Sequence, residues 1–235
     1  MRWLARGEGQ LPAGEDRTGD GRPAEHPLAR WTVGQALHLV CPGPAGDPDV
    51  RRRPDGAAQA WRDGRPLPVG ISITSRAGWA VCLLGLEPGA VGCDLQLVEP
   101  RGPGFVADRF TRQEQRIAGD DPLLGSLLWS AKESAAQVLR RAGSRALEVS
   151  LGCGRPSDGW SALTVRAGGR GVAHGWWRRF GPLVLTVAAD RPTPPPRGLE
   201  EPSALAAALG SALGSGQPAV PSPVGSYAGC ASRAG

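Results

Sequence analysis

The stretch DPLLGSLLWSAKESAAQVLRRAG, residues 121–143, reads as a single helix, and the runs on either side of it decide the fold. Asp121 suits the N-cap, Pro122 the first turn and Gly143 the stop. Leu124, Leu127, Leu128, Ala131, Ala135, Val138 and Leu139 recur at helical spacing and make one apolar face. Upstream, residues 71–74 (ISIT), 79–85 (WAVCLLG) and 90–97 (AVGCDLQL) are short apolar or β-branched runs set between Gly and Pro, which predicts strands. Residues 105–118 predict a helix that restarts at Thr111, since Glu114 stands at capping-box spacing from it. Downstream, residues 147–151, 161–166 and 183–188 are again strand-like. Strands, two helices and strands again imply an α+β domain of about 120 residues.

The flanks differ in composition. Of 235 residues, 35 are Gly and 23 are Pro, about a quarter of the chain, concentrated towards its ends. Residues 1–30 are polar and rich in Gly, Pro and charge, which predicts little fixed structure. Residues 36–41 (ALHLVC) read as a short strand, and residues 42–65, with Arg51-Arg52-Arg53, as loop. From residue 191 onward the chain is Pro, Ala, Gly and Ser, a disordered tail with a short helix expected at 203–213. The expected division is therefore a divergent, poorly ordered N-terminal half at 1–63, a folded domain at 64–190 and a tail at 191–235.

The net charge of +5 and a pI near 9.4 favour an anionic partner. Nucleic acid fits poorly, because the arginines do not cluster on the helices and the chain has three Phe and one Tyr. No apolar run reaches the length of a secretory signal or a membrane span, so a cytoplasmic protein without a membrane partner is expected. The five cysteines contain no CxxC pair and read as thiols rather than a disulfide frame or zinc site.

Lys132 is the only lysine among 27 basic residues. At about 100° per residue it lies on the core side of Glu133, while Trp129, Glu133, Gln137 and Arg140 form one stripe. A tryptophan left in water forgoes about one to several kcal/mol of burial. Another domain, a partner or a ligand is therefore expected to cover Trp129. In the strand, alternation sends Asp94 and Gln96 to one side and Cys93 and Leu95 to the other. If that side faces the helix stripe, Asp94 and Glu133 converge with an amide between them. Two carboxylates with amide and water oxygens suit Mg²⁺, and Lys132 would neutralise phosphate charge nearby.

Gly92-Cys93-Asp94-Leu95-Gln96 followed by Trp129-Ser130-Ala131-Lys132-Glu133 resembles the 4′-phosphopantetheinyl transferases of the surfactin-synthetase-activating type. That family reads G-[VI]-D-x-E and then [WF]-[SCT]-x-K-E-x-x-x-K. Gly64-Arg65-Pro66 is similar to its GKP or GRP turn, Ile71-Ser72-Ile73-Thr74 to its I-S-x-S strand, and Asp108-Arg109-Phe110-Thr111 with Glu114 to its R-F-[ST]-x-x-E segment. The resemblance runs over residues 64–189. It implies an antiparallel sheet with helices on one side, in two similar halves of which the first is shortened here.

The implied activity moves the phosphopantetheine arm of coenzyme A to a serine of an acyl or peptidyl carrier protein, of the kind used in secondary-metabolite biosynthesis. Asp94, Gln96 and Glu133 would hold Mg²⁺, Glu133 would take the serine proton, and Lys132 would contact the pyrophosphate. Arg65 and Ser72 would hold coenzyme A phosphates. Gln96, Gln137 and Ile73 depart from the pattern, standing where the family has an acid, a lysine and a histidine. A non-catalytic relative that binds coenzyme A or a carrier protein is the alternative, and the oligomeric state is left open.

Overall fold

Residues 1–7, 27–41, 48–86, 89–140, 145–153, 155–168 and 171–199 are described by a computed structural model. Among them the chain opens with β1 (Arg2–Gly7), α1 (Pro27–Val40), β2 (Asp49–Arg52), β3 (Ala58–Arg62), β4 (Arg65–Arg76) and β5 (Trp79–Gly85). It continues with β6 (Val91–Leu97), α2 (Pro103–Arg109), α3 (Arg112–Ala118) and α4 (Pro122–Leu139). The last strands are β7 (Leu147–Leu151), β8 (Ser161–Ala167), β9 (Val172–Phe180), β10 (Leu183–Ala189) and β11 (Arg197–Gly198).

The fold is α+β with two sheets, in the orders β11-β1-β5-β4-β3-β2 and β6-β10-β9-β8-β7. All ladders are antiparallel except that of the two-residue β11, which lies parallel to β1. Without β11 the two sheets have the same topology. In each, the first strand leads into a helical segment, and four meandering strands then return to pair the fifth beside the first. The halves are alike in order, so the first is not shortened in strand number.

Local chemistry explains the strand ends. Asp63 and Gly64 between β3 and β4, and Ala77 and Gly78 between β4 and β5, all have positive φ, as a two-residue hairpin of the primed type requires. The boundary expected at 63/64 thus falls inside a hairpin, between Arg62 and Arg65, which pair. Residues 36–40 belong to α1 rather than to a strand, and Cys41 follows its last turn. Leu37 and Leu39 alternate with His38 over that short window, but Leu28, Thr32, Val33, Ala36 and Leu37 are buried at helical spacing over the longer one. Residues expected as loop supply β2 and β3. Residues 8–26 and 42–47, Gly143 and the tail from residue 200, including 203–213, lie outside the described residues.

Helix α1 covers one face of the first sheet through Val33, Ala36 and Leu37 against Ala60, Ile71, Cys82 and Leu84. Helix α4 covers one face of the second through Leu128, Ala131 and Ala135. The two remaining faces meet, with Val81 and Leu83 of β5 against Cys93 and Leu95 of β6 and Leu185 of β10. Strand β10 is buried along its whole length and β5 from Ala80 to Gly85, because each is covered on both faces. Among the described residues Cys41, Cys82 and Cys93 are free thiols. Among the described residues no helix is long and apolar enough to cross a membrane.

Candidate active site

The site begins where α4 crosses β6. Gly92 makes the crossing possible, because a Cβ there would lie 2.1 Å from the Ser134 carbonyl oxygen. Asp121 caps the start of α4 by accepting from the amides of Leu123 and Leu124, and Arg140 ends it in the left-handed region. With the backbones this close, side chains join strand and helix directly. Gln137 Nε2 donates to the Cys93 carbonyl at 3.0 Å, and Gln137 Oε1 accepts from Ser72 Oγ at 2.6 Å. Ser130 Oγ donates to the Asp94 carbonyl at 3.0 Å and lies 2.9 Å from Thr186 Oγ1, which donates to Ser134 Oγ at 3.0 Å. Ser130, Ser134 and Thr186 are fully buried, so this hydroxyl chain forms a dry floor under Asp94.

Asp94 and Gln96 do share the α4 side of β6, with Cys93 and Leu95 in the core between the sheets. Burial pushes the Asp94 carboxyl up to about 6, against the donors Gln96 and Ser130, and the nearby Glu133 carboxylate pushes in the same direction as burial. The structure therefore brings Asp94 and Glu133 within electrostatic reach of one another. Gln96 turns its amide nitrogen to Asp94 Oδ2 at 2.9 Å, while its oxygen accepts from Arg101 Nη2 at 3.2 Å. The oxygen expected to ligate a metal is thus engaged elsewhere.

Among the described residues no three of His, Cys, Asp and Glu gather into a metal-holding group. Two carboxylates still fit magnesium, which fills most of its shell with water and phosphate oxygens. An acid destabilised by burial and by a second acid is also an arrangement that a cation relieves.

Lys132 points away from this pair. Its Nζ lies 2.7 Å from Glu114 Oε2, donates to the Arg109 carbonyl at 2.9 Å, and faces the Phe110 ring. Both charged side chains are closed to solvent, Lys132 at 0% and Glu114 at 2% exposed. Glu114 accepts as well from the amides of Thr111 (2.8 Å) and Val149 (2.9 Å). The capping box that was legible in the sequence therefore also anchors the lone lysine and satisfies an amide of β7.

Arg65 is exposed at the foot of β4. Ser72 lies about 20 Å further along the same strand, so the two cannot grip one phosphate. Ser72 Oγ is buried and accepts from the Cys93 amide at 2.9 Å. Burial pushes the Cys93 thiol up to about 12, which keeps it protonated and unreactive. Trp129 is covered from within the chain, by Phe105 at 5.1 Å edge-on and by the Arg109 guanidinium at 5.4 Å. Arg101 and the Ser130–Thr186–Ser134 floor had not been expected; an arginine so near the Asp94 strand was the only available signal.

A cleft of about 240 Å³ opens between β4 and α4, with Gly70, Val91 and Gln137 on its walls and Arg53 and Arg140 at its rim. A larger hollow of about 770 Å³, lined by Trp160, Arg178 and Arg197, touches none of the expected site residues. Compared with models of known protein families the sequence matches none, and no curated protein matches it.

Proposed function

We propose that the protein is a magnesium-dependent 4′-phosphopantetheinyl transferase acting on an acyl or peptidyl carrier protein. What supports this reading is that Asp94 and Glu133, on the strand and the helix that bear the two motifs of the resemblance, stand close enough for the Glu133 charge to raise the Asp94 carboxyl. Two halves with one strand order add to it, as does the cleft beside Gln137.

In this reading Asp94 and Glu133 hold the magnesium, which when bound supplies positive charge against the pyrophosphate of coenzyme A. Arg53 and Arg140 line the cleft and share the Asp55 carboxylate, so the three together leave one positive charge for an anionic co-substrate. The serine oxygen of the carrier forms a bond to the phosphorus next to the pantetheine arm. The bond from that phosphorus to the leaving oxygen breaks, and adenosine 3′,5′-bisphosphate departs. Glu133, directly or through a water, accepts the serine proton. Lys132 acts behind Glu133 by tying α4 to α3, rather than on the phosphates.

The alternative, a non-catalytic relative that binds coenzyme A or a carrier protein, has support of its own. The Ser72 hydroxyl, the Lys132 ammonium and the Gln96 oxygen are all spent on internal contacts. Intact mass spectrometry of several unmodified carrier proteins, incubated with the protein, coenzyme A and Mg²⁺, separates the two. A phosphopantetheine-sized gain that requires Mg²⁺ and disappears with Glu133→Ala is expected. Coenzyme A binding with no gain on any carrier would instead establish the non-catalytic relative.

A further inference from the structure

Gln96 can present either an oxygen or a nitrogen to its neighbours, and its surroundings permit one arrangement. On one side stands Arg101, whose guanidinium only donates; on the other stands the Asp94 carboxylate, which when ionised only accepts. The observed bonds, Arg101 Nη2 to Gln96 Oε1 at 3.2 Å and Gln96 Nε2 to Asp94 Oδ2 at 2.9 Å, satisfy both. Turning the amide over would set N–H against N–H and oxygen against oxygen.

Arg101 is itself immobilised. Its side chain is 14% exposed, its Nη1 lies 3.3 Å from Glu99 Oε1, and its guanidinium stands 5.2 Å from the centre of the Phe105 ring. Its Nε is buried without a hydrogen-bond partner, so packing holds the fork in place even where a donor goes unused.

We propose that Arg101 is a positioning residue, which locks the Gln96 amide with its nitrogen towards Asp94 and so leaves Asp94 and Glu133 as the protein ligands of the cation. The inference rests on the reading of that pair as a cation site. An oxygen already bonded to a guanidinium is not offered to a metal ion, which would meet the positive fork as it approached. Gln96 is then a neighbour of Asp94 and not a ligand of the cation, and Arg101 acts only through it.

The full-length chain is titrated with Mn²⁺ as the probe, and free Mn²⁺ is read by electron paramagnetic resonance. Gln96→Leu is expected to bind Mn²⁺ as the unchanged chain does, to within about twofold. Arg101→Met releases the amide and removes the opposing charge, so binding should tighten by about tenfold, the effect of one charge-assisted contact. Arg101→Met/Gln96→Leu should lose the part of that gain that the freed amide oxygen supplies. A merely structural role would not produce this dependence of one substitution on the other.

A weakening by Gln96→Leu of about tenfold, or no tightening with Arg101→Met, overturns the proposal. A second readout needs no metal: the side-chain amide resonances of Gln96 should shift in Arg101→Met, and resonances that stay in place overturn it as well. Asp94→Asn should abolish Mn²⁺ binding in every background. If no background binds Mn²⁺ at all, the cation site and the transferase reading both fall. If Mn²⁺ binds through Asp94 and Gln96→Leu weakens it, only the role given to Arg101 falls.

Discussion

Replacing Lys132 with methionine is expected to lower the free energy of unfolding by about 3–5 kcal/mol, the usual consequence of stripping one partner from a buried ion pair. Methionine preserves most of the stem but leaves the Glu114 carboxylate enclosed with only the amides of Thr111 and Val149 as donors. Lys132→Arg is expected to lose stability too. A planar fork needs more room than an ammonium does, and the space between Phe110 and the Arg109 carbonyl is closed to solvent. The double substitution Lys132→Met/Glu114→Gln should recover part of the loss, because no bare charge then remains inside. Urea denaturation reads all three as shifts of the midpoint at unchanged slope. A loss below about 1 kcal/mol for Lys132→Met would mean that the pair does not tie α3 to α4. One lysine thus survives in an arginine-rich chain because a compact point charge fits where a guanidinium does not.

Asp94→Asn is expected to move stability and function in opposite directions. Its carboxyl is raised to about 6 in the folded chain, above an ordinary carboxylate, so between about pH 4 and pH 6 the folded state binds the proton more tightly than the unfolded state does. Stability therefore falls as pH rises through that window, and the loss is complete above it. The shift corresponds to about 3 kcal/mol at most, so Asn should stabilise the magnesium-free protein by about 1–3 kcal/mol at pH 8. The same variant should lose transfer by about a hundredfold or more, as removal of a charge-stabilising group does elsewhere. Thermal melts from pH 4 to pH 8 check the first half, and the carrier mass assay the second. Destabilisation by Asn at pH 8 would sink the view that Asp94 is held charged at a cost to the fold. Added Mg²⁺ should raise the melting temperature of the unchanged chain and leave that of Asp94→Asn in place.

Much of the second half was legible because its signals are local. Asp121, Pro122 and the apolar face gave α4, and Thr111 with Glu114 gave the restart at α3. The alternation that put Asp94 and Gln96 on one side of β6 holds because that strand is covered differently on its two faces. What could not be read depended on distant partners. Strand β9 carries Gly175 amid a mixed run, His174 to Arg179, and takes its register from the β8 and β10 ladders. Helix α1 was missed because its alternation over 36–41 imitates a strand in a short window.

At the site, the helical wheel placed Lys132 on the core side of Glu133, but it could not supply Glu114 as the partner. A capping-box acid was already accounted for at its own helix start, and nothing in the spacing said that the same Oε2 also meets Lys132. Trp129 shows the same limit in reverse. Its cover was sought outside the domain, whereas Phe105 and Arg109, twenty or so residues upstream, provide it.

The outer edge of β6 is closed by hydroxyls, not by another strand: Ser72 Oγ takes the amide of Cys93 and Thr74 Oγ1 that of Leu95. The alternate amides of β6 belong to the β10 ladder. The Cys93 amide is also shared with Gln137 Oε1 of α4, at 3.3 Å, so breathing between the two sheets would release the Leu95 proton to solvent while the β10 ladder stays shut. Deuterium uptake at Leu95 would thus record how often the halves part, separately from how often either one melts.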